Sequence, residues 1–163
     1  KEQICKAAFK MLPREGYVYI DAGTTTLPLV DLLVNCRNSN ATFVTNDITI
    51  AAKLSKNQIN HIIVGGRIHP VTQSISGTVS QNQVVDYNFQ MCLMSVESVC
   101  PDGRVVASMA EEASLKLQVL KHSNTHSFPT RRSSDLFDVW ITEKENPAVK
   151  SSCEKHSVEL VIA

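Results

Sequence analysis

Short runs rich in β-branched and aromatic residues alternate along this chain with segments of helical spacing, and that alternation leaves few architectures open. Strand-type runs stand at 17–20, 41–45, 61–64, 89–95, 137–142 and 158–162. Between them lie a loop and helix at 21–36 and helix-type segments at 47–55, 78–85, 111–121 and 147–155. A first amphipathic helix carries Ile4, Ala7, Ala8 and Met11 at helical spacing and is stopped by Pro13 and Gly16. A short strand at 104–106 follows the Pro101-Asp102-Gly103 turn. Strands linked through helices pair in parallel, so the expected fold is α/β: a mostly parallel sheet with helices on both faces. With 163 residues, 43% of them apolar and 20% charged, the chain reads as one globular domain with a single substantial core.

Charge excludes several partners. Sixteen basic and sixteen acidic side chains give a net charge of zero, so the chain has no global attraction for nucleic acid or an anionic membrane. No apolar run approaches the length of a bilayer span, and no secretory signal opens the sequence. Cys5, Cys36, Cys92, Cys100 and Cys153 are odd in number and lack metal-ligand spacing, which reads as reduced thiols in a cytoplasm. The first helix starts at Lys1 with no Met and no cap, as though the chain were the downstream part of something longer.

The run Asp21-Ala22-Gly23-Thr24-Thr25-Thr26 joins the first strand to the second helix. A strand turning through Gly and Thr into a helix leaves free N–H groups and a positive helix end facing one point, beside three hydroxyls: an anion site suited to phosphate. The same residues also make an ordinary capped helix start. Neither GxGxxG nor GxxxxGK[ST] occurs, so a nucleotide enzyme is not indicated and no cofactor or metal is expected. Ligands of parallel sheets bind where loops leave the carboxyl ends of strands. Two further loops of that kind are Thr45-Asn46-Asp47 and Gly65-Gly66-Arg67. Arg67 offers a bidentate phosphate partner or a solvated surface charge; Asn46-Asp47 offers ligand contacts or a helix cap.

At these residues the chain resembles the effector-binding domain of the DeoR family of bacterial transcriptional repressors. The match runs from Lys1-Glu2-Gln3-Ile4 through Asp21 to Thr26, Val44-Thr45-Asn46, Gly65-Gly66-Arg67, Ser76-Gly77 and Glu111-Glu112-Ala113 with Lys116, and resumes at Phe137 to Thr142. The resemblance implies a fold similar to ribose-5-phosphate isomerase and the coenzyme A transferases. It implies a sensor with no catalytic residue, binding a phosphorylated sugar or related metabolite through Asp21, Gly23, Thr24, Thr25, Thr26, Thr45, Asn46, Gly65, Gly66, Arg67, Glu97 and Lys116. It further implies a homo-oligomer that meets operator DNA through a helix-turn-helix absent from this sequence. A sugar-phosphate isomerase or transferase of the same fold group is the alternative, with Glu97 and Lys116 as candidate base and charge stabiliser. By residue pattern alone Lys116 reads equally as an exposed charge paired with Glu112 at i,i+4 spacing.

Two departures from the family pattern stand out. Ser95-Val96-Glu97-Ser98 replaces a Gly-Val-Asp-Gly stretch, keeping a carboxylate but losing both glycines. The string from His126 to Leu136 reads like a translated sequencing adapter and falls where family members have a buried strand and a Ser-Lys-Phe-Gly loop. Residues 125–136 are therefore expected to be a junction between two true pieces, at the expense of stability. Losing several apolar side chains worth ~1.5–3 kcal/mol each rivals the ~5–15 kcal/mol net stability of a domain.

Overall fold

The computed structural model describes residues 1–35, 39–99, 105–107, 109–124, 126–127 and 138–163. Cys36, Cys100, the Pro101-Asp102-Gly103 turn and 128–136 of the adapter-like string lie outside the described residues. Seven strands form one sheet in the order β11-β10-β9-β6-β1-β2-β3, every neighbouring pair parallel. The strands are β1 (Tyr17–Ile20), β2 (Thr42–Thr45), β3 (His61–Ile63), β6 (Phe89–Leu93), β9 (His126–Ser127), β10 (Val139–Thr142) and β11 (Glu159–Ile162). Two antiparallel hairpins stand apart from it: β4 (Arg67–Ile68) with β5 (Ile75–Ser76), and β7 (Ser98–Val99) with β8 (Val105–Val106).

The helices are α1 (Glu2–Lys10), α2 (Leu29–Asn35), α3 (Ile48–Lys56), α4 (Thr78–Val84), α5 (Ala110–Lys121) and α6 (Pro147–His156). α1 packs on α2 and α2 on α3, while α4 packs on α5. Neighbouring residues of a strand point to opposite faces, yet Val18, Tyr19 and Ile20 are all fully buried. Both faces of the central sheet are therefore covered. Tyr19, Phe43, Phe89, Ile50, Leu54, Leu93 and Leu115 fill the core between the layers.

Local chemistry sets the element ends. Asp47 caps α3, its Oδ1 accepting from the amides of Thr49 (2.7 Å) and Ile50 (3.0 Å). Asn146 does the same for α6, with Pro147 at the first helical position. The second helix starts later than its sequence pattern suggests. Residues 24–28 form tight turns, with Thr26 and Leu27 amides donating to Gly23 O, Leu29 to Thr26 O and Val30 to Leu27 O. Pro28 has no N–H to contribute, so the regular helix begins only after it.

Chain order fixes where a ligand can enter. β1 is followed outward by β2 and β3, after which the chain returns to pair β6 on the other side of β1. The strand order reverses between β1 and β6, and their carboxyl ends, Asp21 and Ser95, face a common crevice.

Candidate functional site

A cavity of about 710 Å³ opens at this switch point, bounded by α1, the 21–27 turn, the 46–49 loop, the 71–74 loop, the 95–97 loop and α5. Its walls are stitched to one another. Asp21 is 1% exposed, and its Oδ2 accepts from the Ser95 amide (2.9 Å), from the Ser95 hydroxyl (2.8 Å) and from the Lys116 ammonium. Lys116 also donates to the Ser95 carbonyl (3.0 Å). The Ala22 amide donates to Asn46 Oδ1 (2.8 Å), and Asn46 bonds Ile75 through both its carbonyl (2.7 Å) and its Nδ2 (3.3 Å). Ser74, bridged to Asp47, donates its hydroxyl to Glu112 Oε1 (2.7 Å). Glu112 and Lys116 lie one turn apart on α5, which closes the ring.

Thr26 Oγ1 lies 2.8 Å from the carbonyls of both Asp21 and Gly23, tying the turn to its own start. Cys5 of α1 supports it from behind, donating to Thr25 O (3.0 Å); burial pushes this thiol's pKa up and keeps it a donor. The amides of Gly23, Thr24 and Thr25 donate to no other described residue. Lys1 Nζ reaches Thr24 Oγ1 at 2.7 Å and brings a cation to that corner. Gly23 has to be glycine here, because a Cβ would stand 2.8 Å from Ser95 Cβ and Oγ. Ser95 fixes this turn through its hydroxyl, which bonds Asp21 Oδ2 (2.8 Å) and the Ala22 carbonyl (2.6 Å).

Of the residues singled out from sequence, Asp21, Gly23, Thr24, Thr25, Asn46, Glu97 and Lys116 line the cavity. Thr26 and the fully buried Thr45 stand behind its wall, Thr45 Oγ1 accepting from the Asp47 amide (3.1 Å). Gly65, Gly66 and Arg67 lie elsewhere. The Gly65 carbonyl accepts from Ser80 Oγ (2.5 Å), and a Cβ on Gly66, at φ +144°, would sit 2.3 Å from that hydroxyl. Gly66 thus lets the chain leaving β3 press against α4. Arg67 pairs with Glu111 (2.8 Å) and is 77% exposed beside a separate, smaller hollow. Lys116 is no exposed helix charge: it is buried against Asp21, not paired with Glu112. Lys1, Asp47, Ser74 and Glu112 are further polar residues of the lining. Glu112 was within reach of sequence reasoning, one helical turn ahead of Lys116. Lys1 and Ser74 carried no local signal.

The fold places the chain in a recognisable structural class. It superposes on ribose 5-phosphate isomerase A of Methanocaldococcus jannaschii with a TM-score of 0.55, over 88% of this chain and 51% of that one, at 9% identity. That is a likeness of fold alone. Residues 1–128 match the DeoR C terminal sensor domain, and the chain belongs to that family. It is 26% identical over 76% of its length to the uncharacterized HTH-type transcriptional regulator FruR of Bacillus subtilis, covering 48% of that protein. It is 25% identical over 71% of its length to a putative aga operon transcriptional repressor of Escherichia coli O157:H7, covering 42% of it. The chain thus spans about half the length of these curated relatives. Among the described residues no helix is long and apolar enough to cross a membrane.

Proposed function

We propose that the cavity at the β1–β6 switch point is an effector site for a phosphorylated sugar or related metabolite, and that the chain is the sensing part of a sugar-operon repressor. The observation that carries this reading is the 23–25 turn. Three amides without acceptors among the described residues and the Lys1 ammonium meet at one corner of a polar cavity, an arrangement that suits a phosphate. The names of the relatives, an HTH-type regulator and an operon repressor, support a regulatory role over turnover. Operator DNA would be met by a helix-turn-helix segment joined ahead of Lys1, within a homo-oligomer. Effector binding alters operator affinity only if it favours one arrangement of that assembly over another.

Calorimetric titration with inorganic phosphate and a panel of sugar monophosphates tests the reading. Saturable binding without product formation is expected, weakened by Thr24→Ala, which removes the hydroxyl that Lys1 bonds. Accumulation of an isomerised sugar would favour the enzyme instead, and affinity unchanged in Thr24→Ala would remove the turn from the site.

A further inference from the structure

Glu112 has an unusual position for a carboxylate. It is 8% exposed, it faces the cavity, and no described cation pairs with it. The nearest ammonium along α5, Lys116, is taken by Asp21, and Arg67 is taken by the neighbouring Glu111. A buried carboxylate in that state needs hydrogen-bond donors, and the described residues supply Ser74 Oγ at 2.7 Å to Oε1 alone. Asp47 and Glu97 add two more carboxylates to the lining. With Lys116 neutralised by Asp21, Lys1 beside Thr24 is the remaining cationic group among the described residues of the wall. The cavity is therefore charge-segregated, with one corner that welcomes an anion and a far wall that wants neutral donors.

We propose that Glu112, held by Ser74, is a specificity-determining residue: it takes hydroxyl donors of the ligand and rejects a second anionic group. The cavity then accepts a monophosphorylated polyhydroxy compound and discriminates against bisphosphates and phosphorylated sugar acids. This rests on the effector reading above and adds which members of that class are excluded. The volume of about 710 Å³ holds far more than a phosphate, so the polyol part must meet this wall. Vicinal hydroxyls can give the carboxylate the donors it lacks, whereas a carboxylate or phosphate there meets like charge beside a buried group.

Two matched ligand pairs test the proposal by calorimetry on the full chain: glucose 6-phosphate against 6-phosphogluconate, and fructose 1-phosphate against fructose 1,6-bisphosphate. In each pair the member with a single anionic group is expected to bind at least about tenfold tighter, the size of effect that like-charge juxtaposition gives. Glu112→Gln should shrink that ratio toward unity, mainly by improving the doubly anionic member. Ser74→Ala keeps the charge and should keep the ratio. Equal affinities within both pairs for the wild-type chain, a comparison that needs no variant, overturn the proposal and leave the effector reading standing. A ratio that Glu112→Gln leaves unchanged in a variant with native circular dichroism also overturns it. Failure of inorganic phosphate and all four sugars to bind overturns both readings.

Discussion

Removing the ammonium of Lys116 should be among the most damaging single changes this domain can suffer. Its partner Asp21 has a side chain 1% exposed, and Lys116's is 9% exposed, so solvent screens the pair very little. In Lys116→Met the Asp21 carboxylate would remain buried with only the Ser95 amide and hydroxyl as donors, at 2.9 and 2.8 Å. Breaking a buried pair by deleting one partner costs about 3–5 kcal/mol, much of it the penalty of the charge left behind. Against a net stability of ~5–15 kcal/mol that is a third or more of the total for a domain in the middle of the range. With an m-value of about 2 kcal/mol per molar urea, the midpoint at pH 7 should fall by roughly 1.5–2.5 M. Asp21→Asn in the Lys116→Met background removes the stranded charge while keeping an acceptor for the Ser95 amide. The double variant should therefore recover about half of the loss or more, which a double-mutant cycle reads as coupling. Urea unfolding followed by circular dichroism measures all four proteins. A midpoint shift below about 0.5 M for Lys116→Met, or no recovery in the double variant, would contradict the buried pair as described.

Tyr19→Phe should stabilise the fold or leave it unchanged, because the fully buried Tyr19 hydroxyl has no hydrogen-bond partner among the described residues, a state that costs about 1–3 kcal/mol; a loss above about 1 kcal/mol in urea unfolding would count against it. Burial, and then the nearby Asp21 carboxylate, hold the Tyr19 pKa well above its ordinary 10. Since the folded value is raised, this contribution is complete below about pH 10 and drains away as pH rises from there toward the folded pKa, so Tyr19→Phe should flatten the alkaline fall in stability. Arg67→Ala removes an exposed ion pair worth ~0–1 kcal/mol and should leave sugar-phosphate affinity unchanged, and a clear loss in titration would return Arg67 to the site. We propose that 125–136 stands where a native strand and loop belong. β9, two residues long between β6 and β10, occupies an interior position of a parallel sheet that apolar β-branched residues suit. The double variant His126→Ile, Ser127→Val should accordingly raise the melting temperature, and a lowered one would oppose the reading.

Strand and helix order was legible because each long strand is a run of apolar residues bounded by turn formers, a signal that needs no tertiary information. Phe89 to Leu93 and Thr42 to Thr45 are examples. What escaped were contacts between residues distant in sequence. The β4–β5 hairpin has only two residues per strand, too few for any alternation to register. The Glu112–Lys116 spacing suggested a local surface pair. Lys116 instead turned inward to a carboxylate 95 positions away, and Glu112 to a serine 38 positions away. Gly65 and Gly66 announced that backbone approaches something closely, but not whether that something is a ligand. It is Ser80 of α4. The turn after β1 and the helix beyond it were legible, while the point where the regular helix starts was not, since Pro28 defers it to Leu29.

A buried ion pair is a poor way to gain stability, since a well-packed apolar pair of similar size would do as well or better. Its placement at the ends of β1 and β6 therefore calls for another account. Asp21 and Ser95 sit on two adjacent parallel strands at the point where chain order reverses, and Lys116 arrives from α5 to join both. The three together set the distance between the 22–25 turn and the 95–97 loop, with Gly23 pressed on Ser95 at a separation only glycine tolerates. Asn46 and Ser74 extend the same polar stitching to the 46–49 and 71–74 loops. Loops of this composition would otherwise sample many arrangements, and a ligand would bear the entropy of ordering them. On the effector reading proposed above, charge-assisted bonds fix the wall before any ligand arrives, and Gly23, Thr24, Thr25 and Glu112 stand ready on its lining. Recognition then depends on how well a ligand's charges match that fixed pattern.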